Sequence, residues 1–438
     1  MPSAVIVGLG LSGLGCALEL TRRKISFAAF EKEDRPGGLA RTESADGFAF
    51  DHGPHILLGV PAELVDLFAT LPGLELADFS AESCIAVSSV LKGMVPVPFQ
   101  RNLNCLPVVE RIRVLCDLAC RRTSVAPASY REYVIGRCGR RIFDLFLEGY
   151  ESKRLRFSLD EIPADWAKRV DAPSLPSLFA PRKLGNASRA PRTESRFKYP
   201  RFGGIEALPR AIAGLLPADS LHFGSEVVEI DLRGRHVALA RGRAVSYDHL
   251  ALSLPLPEIV GLIKDPPSAV RRAAADLVYA SVYVVGFGID GPVPAFSFLR
   301  FPRADVPFYR LTLASAYAAC NAPQGSNVVM AEMSHHSVRH PVSPLQAVDQ
   351  CREGLVRVGL LGPAQKICVE RIEDIRYGHV IYNRRTEASV HLILGFLEEH
   401  SVFACGKYGR WKDMLMTQSI ASGMDAARRI GALAAGRA

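Results

Sequence analysis

The stretch AVIVGLGLSGLGCALEL, residues 4–20, decides the fold class of this 438-residue chain. Its first four residues predict a short buried parallel strand, and Gly8, Gly10 and Gly13 follow with the spacing G-x-G-x-x-G at the start of a predicted helix. In this pattern the first glycine permits a tight turn, the second lets the backbone approach a pyrophosphate, and the third lets the helix pack closely on the sheet. The stretch therefore predicts a Rossmann-type dinucleotide-binding fold of the α/β class.

A second predicted strand, SFAAFEK at residues 26–32, supplies the acid that this fold uses. Glu31 follows the glycines at the distance where a carboxylate binds a ribose hydroxyl, and we include the adjacent Lys32 in the cofactor site. A carboxylate there disfavours a 2′-phosphate. The acid therefore favours FAD or NAD over NADP as the bound dinucleotide.

Composition excludes several other classes of protein. With 48% hydrophobic and 22% charged residues, the chain can bury a large core, and its net charge of +8 is scattered among acids, so no nucleic-acid partner is expected. No run of ~18 uninterrupted apolar residues predicts a membrane span, and the N-terminus lacks a signal-peptide pattern. The ten cysteines show no paired zinc spacing. We therefore expect reduced thiols, no metal site and a cytoplasmic protein.

Two further segments carry a family resemblance. RPGGLART, residues 35–42, and GFAFDHGPHILLG, residues 47–59, resemble the flavoprotein superfamily of amine oxidases, protoporphyrinogen oxidases, phytoene-type desaturases and UDP-galactopyranose mutases. In that superfamily a G-G-x-x-[RS] turn follows the dinucleotide fold and runs beneath the flavin. The resemblance implies FAD as the cofactor and a glutathione-reductase-like FAD-binding domain.

The resemblance also implies which residues of these segments contact FAD. Gly38 and Arg41 belong to the turn, and the arginine is expected to neutralise pyrophosphate charge. Gly53, Pro54 and His55 are expected against the isoalloxazine ring, and they resemble the G-P-H of the protoporphyrinogen-oxidase-like and mutase-like members.

Blocks nearer the C-terminus extend the resemblance. The predicted strand EVVEI, residues 226–230, is expected to contact the adenine side through Val228. Gly406 follows the strand VFAC, and the last predicted helix begins near Thr417 and Gln418. Similar flavoproteins place such a helix N-terminus at the flavin edge where negative charge develops on reduction. These three residues are therefore predicted to contact the flavin.

The substrate side is most similar to the mutase-like branch. The block GYESKRLRFSLDEIPADWAKR, residues 149–169, matches it at Tyr150, Lys153, Glu161, Ile162, Trp166 and Arg169. The Trp-Gly pair of that branch is replaced by Leu155 and Arg156. After the last glycine, Lys407, Trp411, Asp413 and Met414 stand where a mutase has an arginine and then tyrosines. The predicted catalytic candidates are His55, Lys153, Tyr382 and Arg385.

The blocks predict a discontinuous domain organisation. Residues 1–85, 200–257 and 365–438 are expected to form the FAD-binding domain. Residues 86–199 are expected to form a helical insertion, and residues 258–364 a mixed-sheet substrate-binding domain.

Two reactions on a small-molecule substrate stay open. The first expectation is dehydrogenation by hydride transfer to flavin N5. The alternative is redox-neutral ring isomerisation of a sugar nucleotide by reduced FAD, with an anionic, nucleotide-linked substrate clamped by arginines. Candidates for that clamp are Arg154, Arg156, Arg300, Arg376, Arg384 and Arg385. A non-catalytic flavin-binding protein is a third alternative, and the sequence leaves the oligomeric state open.

Overall fold

A computed structural model describes residues 3–80, 83–86, 94–121, 126–180, 196–294, 296–336 and 339–435. In these residues the strands are β1 Ala4–Val7, β2 Phe27–Phe30, β3 Thr42–Ala45, β4 Phe48–Asp51, β5 Leu76–Ser80, β6 Ser83–Ala86, β7 Met94–Pro96, β8 Arg196–Pro200, β9 Leu221–His222, β10 Val227–Asp231, β11 His236–Leu239, β12 Ala244–Ser246, β13 His249–Leu252, β14 Val278–Asp290, β15 Phe298–Arg300, β16 Arg310–Leu313, β17 Ser326–His335, β18 Lys366–Ile381 and β19 Val402–Ala404.

The α-helices of the same residues are α1 Leu11–Arg22, α2 Ala62–Thr70, α3 Val108–Cys120, α4 Tyr130–Cys138, α5 Arg140–Ile142, α6 Glu148–Leu155, α7 Leu175–Phe179, α8 Ala207–Ala213, α9 Leu256–Leu262, α10 Ser268–Ala275, α11 Pro344–Arg357, α12 Thr386–Glu399, α13 Gly406–Gly409 and α14 Met416–Ala435. Short 3₁₀ helices lie at Phe99–Arg101, Leu103–Cys105, Ala164–Arg169, Ala218–Ser220, Ala314–Ala316 and Ala319–Asn321. Among these helices, none is both long and apolar enough to cross a bilayer.

The predicted dinucleotide fold is present as a five-stranded parallel sheet. Its strand order is β19-β13-β1-β2-β9, so the N-terminal strand lies at the centre. The central strands are buried along their whole length, which is why they are continuous apolar runs. Pro255 ends the segment after β13 and caps α9, as its position in the sequence predicts.

A second, seven-stranded sheet lies beside the first. Its order is β18-β14-β17-β16-β15-β6-β7, and all of its neighbouring strands are antiparallel except β15 and β6. One face packs against α11 around buried side chains such as Phe287 and Phe308, and the other face turns toward the first sheet. This is the mixed sheet that the sequence predicts.

The topology moves two of the predicted domain boundaries. The sequence analysis assigned residues from 365 onward, and so β18, to the FAD-binding domain. In the structure β18 pairs with β14 over most of its length and therefore belongs to the second sheet. β6 and β7 also join this sheet, across the predicted boundary at residue 85. The 13-residue β14 needs a long partner on each side, and only the strand register reveals that β18 is one of them.

The hairpin β3–β4 joins the two sheets. Phe48 and Phe50 project from one face of β4 onto two glycines of β14. A Cβ atom on Gly288 would lie 2.9 Å from the Phe48 ring, and one on Gly286 would lie 2.6 Å from the Phe50 ring. Residues two apart in a strand share a face, so the two aromatic rings and the two glycines match in register. The hairpin therefore brings the segment after it, Gly53 to His55, to the boundary between the sheets.

The helical insertion contains a long helix with an irregular middle. A π-helical segment, Phe143–Leu147, connects α5 to α6 without a break. A π-helical turn holds one residue more than an α-helical turn, and this residue rotates the following turns relative to the preceding ones. α6 thereby presents Glu151 and Arg154 toward the second sheet, where the Ser334 hydroxyl donates to the backbone carbonyl of Arg154 at 2.6 Å.

Helices α1 and α14 touch through their backbones. A Cβ on Gly423 would lie 1.8 Å from the Ser12 carbonyl oxygen, and a Cβ on Gly15 would lie 2.3 Å from the Ile420 carbonyl oxygen. Neither helix has an acidic residue in its first turn. The contact therefore fixes two electropositive helix N-termini relative to one another.

We expect Gly423→Ala to lower the free energy of unfolding by about 3 kcal/mol or more, because the new methyl group meets backbone that cannot rotate away. Gly395→Ala is the matched control, since this glycine of α12 has nothing within 4 Å of its Cβ position. The control should raise stability by about 0.5–1 kcal/mol through helix propensity. Urea unfolding of both variants measures the difference, and equal effects would contradict the backbone contact.

Candidate functional site

The glycine turn after β1 leaves room for a ligand at one glycine only. A Cβ on Gly8 would lie 2.9 Å from the Ser253 carbonyl oxygen, and a Cβ on Gly13 would lie 1.9 Å from the Gly8 carbonyl oxygen. A Cβ on Gly10 would meet no atom closer than 3.7 Å. Gly8 also has a φ of +88°. Two glycines thus serve the turn and the packing, and the open side of Gly10 fits a pyrophosphate.

The acid at the end of β2 is tied to the same turn. Glu31 is buried, with 6% of its surface exposed, and its Oε2 accepts the backbone N–H of Leu9 at 2.7 Å. Its Oε1 accepts the N–H of Glu33 at 3.1 Å. A carboxylate oxygen accepts more than one hydrogen bond, so Glu31 keeps acceptor capacity for a ribose hydroxyl.

The RPGGLART turn passes directly over the glycine turn. Gly38 has a φ of +58°, and a Cβ there would lie 3.1 Å from the Gly10 Cα. Arg41 donates from Nε to the Gly38 carbonyl at 2.9 Å and pairs with Glu33 at 3.5 Å. These two contacts hold the guanidinium at the turn, and its contact with the pyrophosphate stays a prediction.

The remaining adenosine-side residues lie at the surface. Lys32 is exposed. Val228 is 46% exposed and lies in a β-bulge, since the pairing of β10 with β11 shifts between Val227 and Glu229. A bulge removes one residue from the hydrogen-bond ladder, which suits the expected contact with an adenine. Both positions stay predictions.

The C-terminal block closes the other side of the cleft. Gly406 has a φ of +80°, and a Cβ there would lie 2.3 Å from the Ser12 hydroxyl. Thr417 is fully buried in the first turn of α14, and its hydroxyl is 3.4 Å from the Leu58 carbonyl. Gln418 is exposed, and its side chain accepts the Leu415 N–H at 2.9 Å. The three residues lie where α1 and α14 meet, and their contact with the flavin stays a prediction.

His55 lies at the boundary between the cleft and the second sheet. Its Nδ1 donates to the Gly53 carbonyl at 3.1 Å, which leaves Nε2 as an acceptor. Burial, with smaller contributions from His52 and Lys407, lowers the pKa of His55 to about 4, although the Gly53 hydrogen bond and Glu332 act in the opposite direction. His55 is therefore a neutral imidazole at physiological pH.

A buried ion pair holds the centre of the second sheet beside His55. Arg310 on β16 forms a two-pronged pair with Glu332 on β17, one contact measuring 2.8 Å, and Glu332 is 5% exposed. The Tyr309 hydroxyl donates to Glu332 Oε1 at 2.8 Å. That hydroxyl also lies 3.0 Å from His379 Nε2, so the imidazole must be the donor in this second bond.

Four cations lie near enough to His379 to lower its pKa, and we call them the basic cluster: Arg154, Arg169, Arg310 and Lys407. Burial lowers the pKa of His379 far below its usual value, and each of the four cations lowers it further. His379 follows a bulge in β18, because three residues there face one residue of β14 between the pairs Val282–Ile375 and Ala280–His379. The bulge turns the imidazole toward the cations.

The basic cluster carries more positive than negative charge. Arg154 pairs with Glu151 at 2.6 Å, and Arg310 pairs with Glu332. Asp413, however, is a single carboxylate that pairs with two cations. Its oxygens lie 2.7 Å from Arg169 and 3.1 Å from Lys407. Burial raises the pKa of Asp413, but Lys407 and Arg169 more than offset this and hold it below its usual value. The cluster therefore suits an anionic ligand.

Two of the four predicted catalytic candidates reach this region. His55 lies beside Glu332 and Lys407. The Tyr382 ring packs at a tilt against Trp166, with the ring centroids 4.7 Å apart, and its hydroxyl donates to the Trp411 carbonyl at 2.8 Å. Arg169 in turn lies over the Trp166 ring at 4.1 Å. Tyr382 thus belongs to the wall that holds Arg169.

The other two candidates lie elsewhere. Lys153 points away from the basic cluster and donates to the carbonyls of Phe301 and Arg303 at 3.0 and 2.9 Å. Burial, with a contribution from Arg156, lowers the pKa of Lys153 to about 7. Arg385 is 76% exposed and pairs with Asp276 at 3.0 Å. Of the six arginines predicted for a diphosphate clamp, Arg154 joins the basic cluster, and Arg156 instead donates to the Ser334 carbonyl.

Sequence reasoning missed Tyr309, Arg310, Glu332 and His379 as site residues. A signal was present, because Arg310 and Glu332 are single charges within otherwise apolar runs of sequence, and a charge inside a buried strand requires a partner. That the two strands are neighbours in register follows only from the fold.

Comparison with known proteins places this architecture in a family. The family model described as flavin containing amine oxidoreductase matches residues 11–431, so the chain belongs to that family. The zeta-carotene-forming phytoene desaturase of Myxococcus xanthus is 24% identical over 327 residues, which are 66% of this chain and 60% of that protein. The chain therefore spans about three fifths of this curated relative.

Several solved structures share this fold. The structure of a reduced UDP-galactopyranose mutase superposes with a TM-score of 0.91 at 26% identity, over 99% of this chain and 95% of the other. Cyclohexylamine oxidase from Brevibacterium oxydans IH-35A superposes with a TM-score of 0.70 at 17% identity, over 99% of both chains. The protein is thus an FAD-dependent enzyme with the fold of the flavin amine oxidases.

We expect Glu31→Gln to weaken FAD binding about tenfold to a hundredfold, because a charged acceptor of the ribose hydroxyl is lost. Asp34→Asn is the control, since Asp34 is 82% exposed. FAD release into the ultrafiltrate during dilution measures both affinities. Equal retention of FAD by the two variants would contradict the assignment of Glu31.

The low pKa of His55 predicts a pH dependence of stability. The folded pKa of about 4 lies below the usual value of 6.5, so the unfolded chain binds more protons between these values and stability falls as the pH is lowered from 6.5 to 4. The titration of His55 lowers the free energy of unfolding by at most about 3 kcal/mol over this pH range. His55→Gln should lose correspondingly less over the same range in urea unfolding, and parallel pH profiles would contradict the burial of His55.

Proposed function

We propose that this flavoenzyme binds a nucleotide-diphosphate sugar and isomerises it without net oxidation. The basic cluster is the observation that supports this proposal most directly, because it offers four cations to three carboxylates around a half-buried imidazole. A pocket for an apolar hydrocarbon would not place so many charges together, since each loses hydration there. The superposition on reduced UDP-galactopyranose mutase supports the same substrate class.

The residues of the basic cluster have a defined task in such a reaction. Arg169 and Lys407 share one carboxylate and therefore have capacity to bind diphosphate oxygens, while Arg154 extends the positive surface from α6. Diphosphate bound there is stabilised as a leaving group, because its developing charge is met by fixed cations. When bound in the reduced state, FAD supplies a nucleophilic nitrogen for displacement at the anomeric carbon.

The neutral histidine has a different part in the proposal. His55 presents its acceptor Nε2 near the boundary of the two sheets, and its low pKa keeps it uncharged beside Lys407. An uncharged acceptor can bind a sugar hydroxyl without competing with the cations for the diphosphate. Protonation would add a fifth positive charge to the region and is disfavoured there.

One departure from the mutase-like pattern affects nucleobase recognition. Leu155 replaces the tryptophan of that branch and is buried, with 1% of its surface exposed. Arg156 replaces the glycine and keeps the left-handed conformation, with a φ of +49°, held by its bond to Ser334. The loss of an aromatic platform at Leu155 favours a nucleotide held mainly through its diphosphate.

Dehydrogenation of an anionic small molecule is the second candidate. This reaction is favoured by the similarity to a phytoene desaturase, which extends over 66% of this chain. The two reactions differ in their products, because isomerisation preserves the substrate mass and dehydrogenation removes two hydrogen atoms with reduction of the flavin.

We expect dithionite-reduced enzyme, under anaerobic conditions, to convert a UDP- or dTDP-hexose into an isomer of identical mass, detected by NMR. Lys407→Met should lower kcat/KM about tenfold to a hundredfold, since Asp413 stays neutralised by Arg169 while one phosphate contact is lost. Arg385→Met should change kcat/KM less than about twofold, because an exposed pair contributes little.

Other outcomes would overturn the proposal. A product two mass units lighter, formed by oxidised enzyme as the flavin bleaches, would establish dehydrogenation. Equal losses in Lys407→Met and Arg385→Met, at equal flavin content, would remove the basic cluster from the site.

A further inference from the structure

One of the three carboxylates that pair with the basic cluster differs from the other two. The side chains of Glu151 and Glu332 are 12% and 5% exposed, whereas that of Asp413 is 46% exposed. A buried acid that leaves its partner leaves two charges unpaired where water is scarce. Asp413 can exchange its ion pairs for water at much lower cost. Of these three acids, it is therefore the one that can leave the cluster.

Asp413 occupies the donors that the proposed function needs. Its Oδ2 lies 2.7 Å from Arg169 of the insertion, and its Oδ1 lies 3.1 Å from Lys407 of the C-terminal block. Both cations are assigned above to diphosphate oxygens. A carboxylate attached to the chain competes for these cations at a high effective concentration. A phosphate group that binds both cations must therefore compete with Asp413.

The segment that carries Asp413 is anchored by a buried tryptophan. Residues 410–415 connect α13 to α14. Trp411 is 1% exposed, and its ring lies edge-on to Tyr279 and Tyr377, with ring centroids 6.4 and 6.2 Å apart. Residues 412 and 413, which follow this anchor, are exposed. The segment therefore has a fixed base and a part that extends into solvent.

Trp411 has an unfavourable backbone conformation. Its φ is +48°, a left-handed value that residues with a Cβ rarely adopt. The Tyr382 hydroxyl holds the Trp411 carbonyl at 2.8 Å, and the ion pairs of Asp413 hold the chain two residues later. Such a conformation persists only where the surroundings impose it. Loss of the Asp413 ion pairs would remove one of these constraints.

We propose that Asp413 is an internal counter-ion that the diphosphate of the ligand displaces from Arg169 and Lys407. On displacement the carboxylate turns into solvent, and residues 412–415 move away from the two cations. This role of Asp413 rests on the proposed function, because it takes the basic cluster as the diphosphate site. Without ligand, Asp413 keeps the two cations together and excludes weakly bound monoanions such as chloride.

Binding of the diphosphate without displacement is disfavoured by charge. If Asp413 kept both ion pairs, its carboxylate and the phosphate oxygens would meet at the same two cations. Like charges in contact repel each other, and they do so more strongly where water is partly excluded. Asp413 stands where a mutase has tyrosines, so this competition is particular to the present chain.

The first test is a titration of the FAD-loaded full chain with UDP, followed by tryptophan fluorescence. The chain has two tryptophans, and both report on the site. Trp166 lies under Arg169, and Trp411 lies two positions before Asp413. We expect Asp413→Asn to bind UDP about fivefold to twentyfold more tightly, because the amide has nearly the size of the carboxylate but no charge with which to compete.

Asp165→Asn is the matched control for the change in net charge. The Asp165 carboxylate is 81% exposed and pairs with Lys168 on the same insertion. Its removal should change the Kd of UDP less than about twofold. Flavin absorbance and circular dichroism verify that both variants are folded.

Amide hydrogen exchange of the unmodified protein separates displacement from simple repulsion. We expect UDP to accelerate exchange in residues 412–415 at least about threefold, because this segment loses its two ion pairs. In Asp413→Asn the same residues should exchange faster before UDP is added, and UDP should accelerate them no further.

The outcomes distinguish this inference from the proposed function. Equal UDP affinities of Asp413→Asn and the unmodified protein would overturn the displacement and leave the diphosphate site in place. Exchange in residues 412–415 that UDP slows or leaves unchanged would do the same, as would an equal gain in affinity in Asp165→Asn. Absence of UDP binding to every one of these proteins would overturn the proposed function and the displacement together.

Discussion

The contact between α1 and α14 is the constraint on which the cofactor cleft depends. The helices approach until backbone meets backbone, at Gly15 and Gly423, and no other residue type leaves room for this. Gly406 extends the contact, since Ser12 occupies the space of its missing side chain. The first and last segments of the cofactor-binding part are thereby fixed together, although they are far apart in sequence. The contact therefore shapes the cleft for a dinucleotide through the backbone of the two helices.

The chemistry of the substrate side depends on buried charge. Arg310, Glu332, Tyr309 and His379 form a connected hydrogen-bond network within the second sheet, and desolvation alone would make each charge unfavourable there. Each side chain of the network forms a hydrogen bond or ion pair with another member, so the network has one arrangement of donors and acceptors. The insertion and the C-terminal segment then add Arg154, Arg169 and Lys407 around it. An excess of cations over carboxylates follows from the sharing of Asp413.

The sequence predicts those parts of the molecule that depend on local spacing. Gly8, Gly10, Gly13 and Glu31 lie within one strand–helix–strand unit, so their geometry follows from the motif. The sequence likewise predicts a second sheet within residues 258–364. The assignment of β18 to the cofactor domain was wrong, because the sequence of a strand does not determine which distant strand it pairs with.

The substrate side could be predicted only in part for the same reason. Tyr309 meets Glu332 from 23 positions away and His379 from 70 positions away, through strand register and a bulge. Lys153 matches a family block by type but faces the carbonyls of residues 301 and 303, because the helix in which it lies turns a different face to the basic cluster. A motif match fixes the residue type, whereas the direction of its side chain requires the packing of the whole insertion.

The most direct test of the central claim is a titration of the FAD-loaded enzyme with UDP and with uridine, followed by the change in flavin absorbance. If the basic cluster binds a diphosphate beside the flavin, UDP should bind at least about tenfold more tightly than uridine. Equal affinities for UDP and uridine, or no spectral change with either, would contradict the role of the cluster.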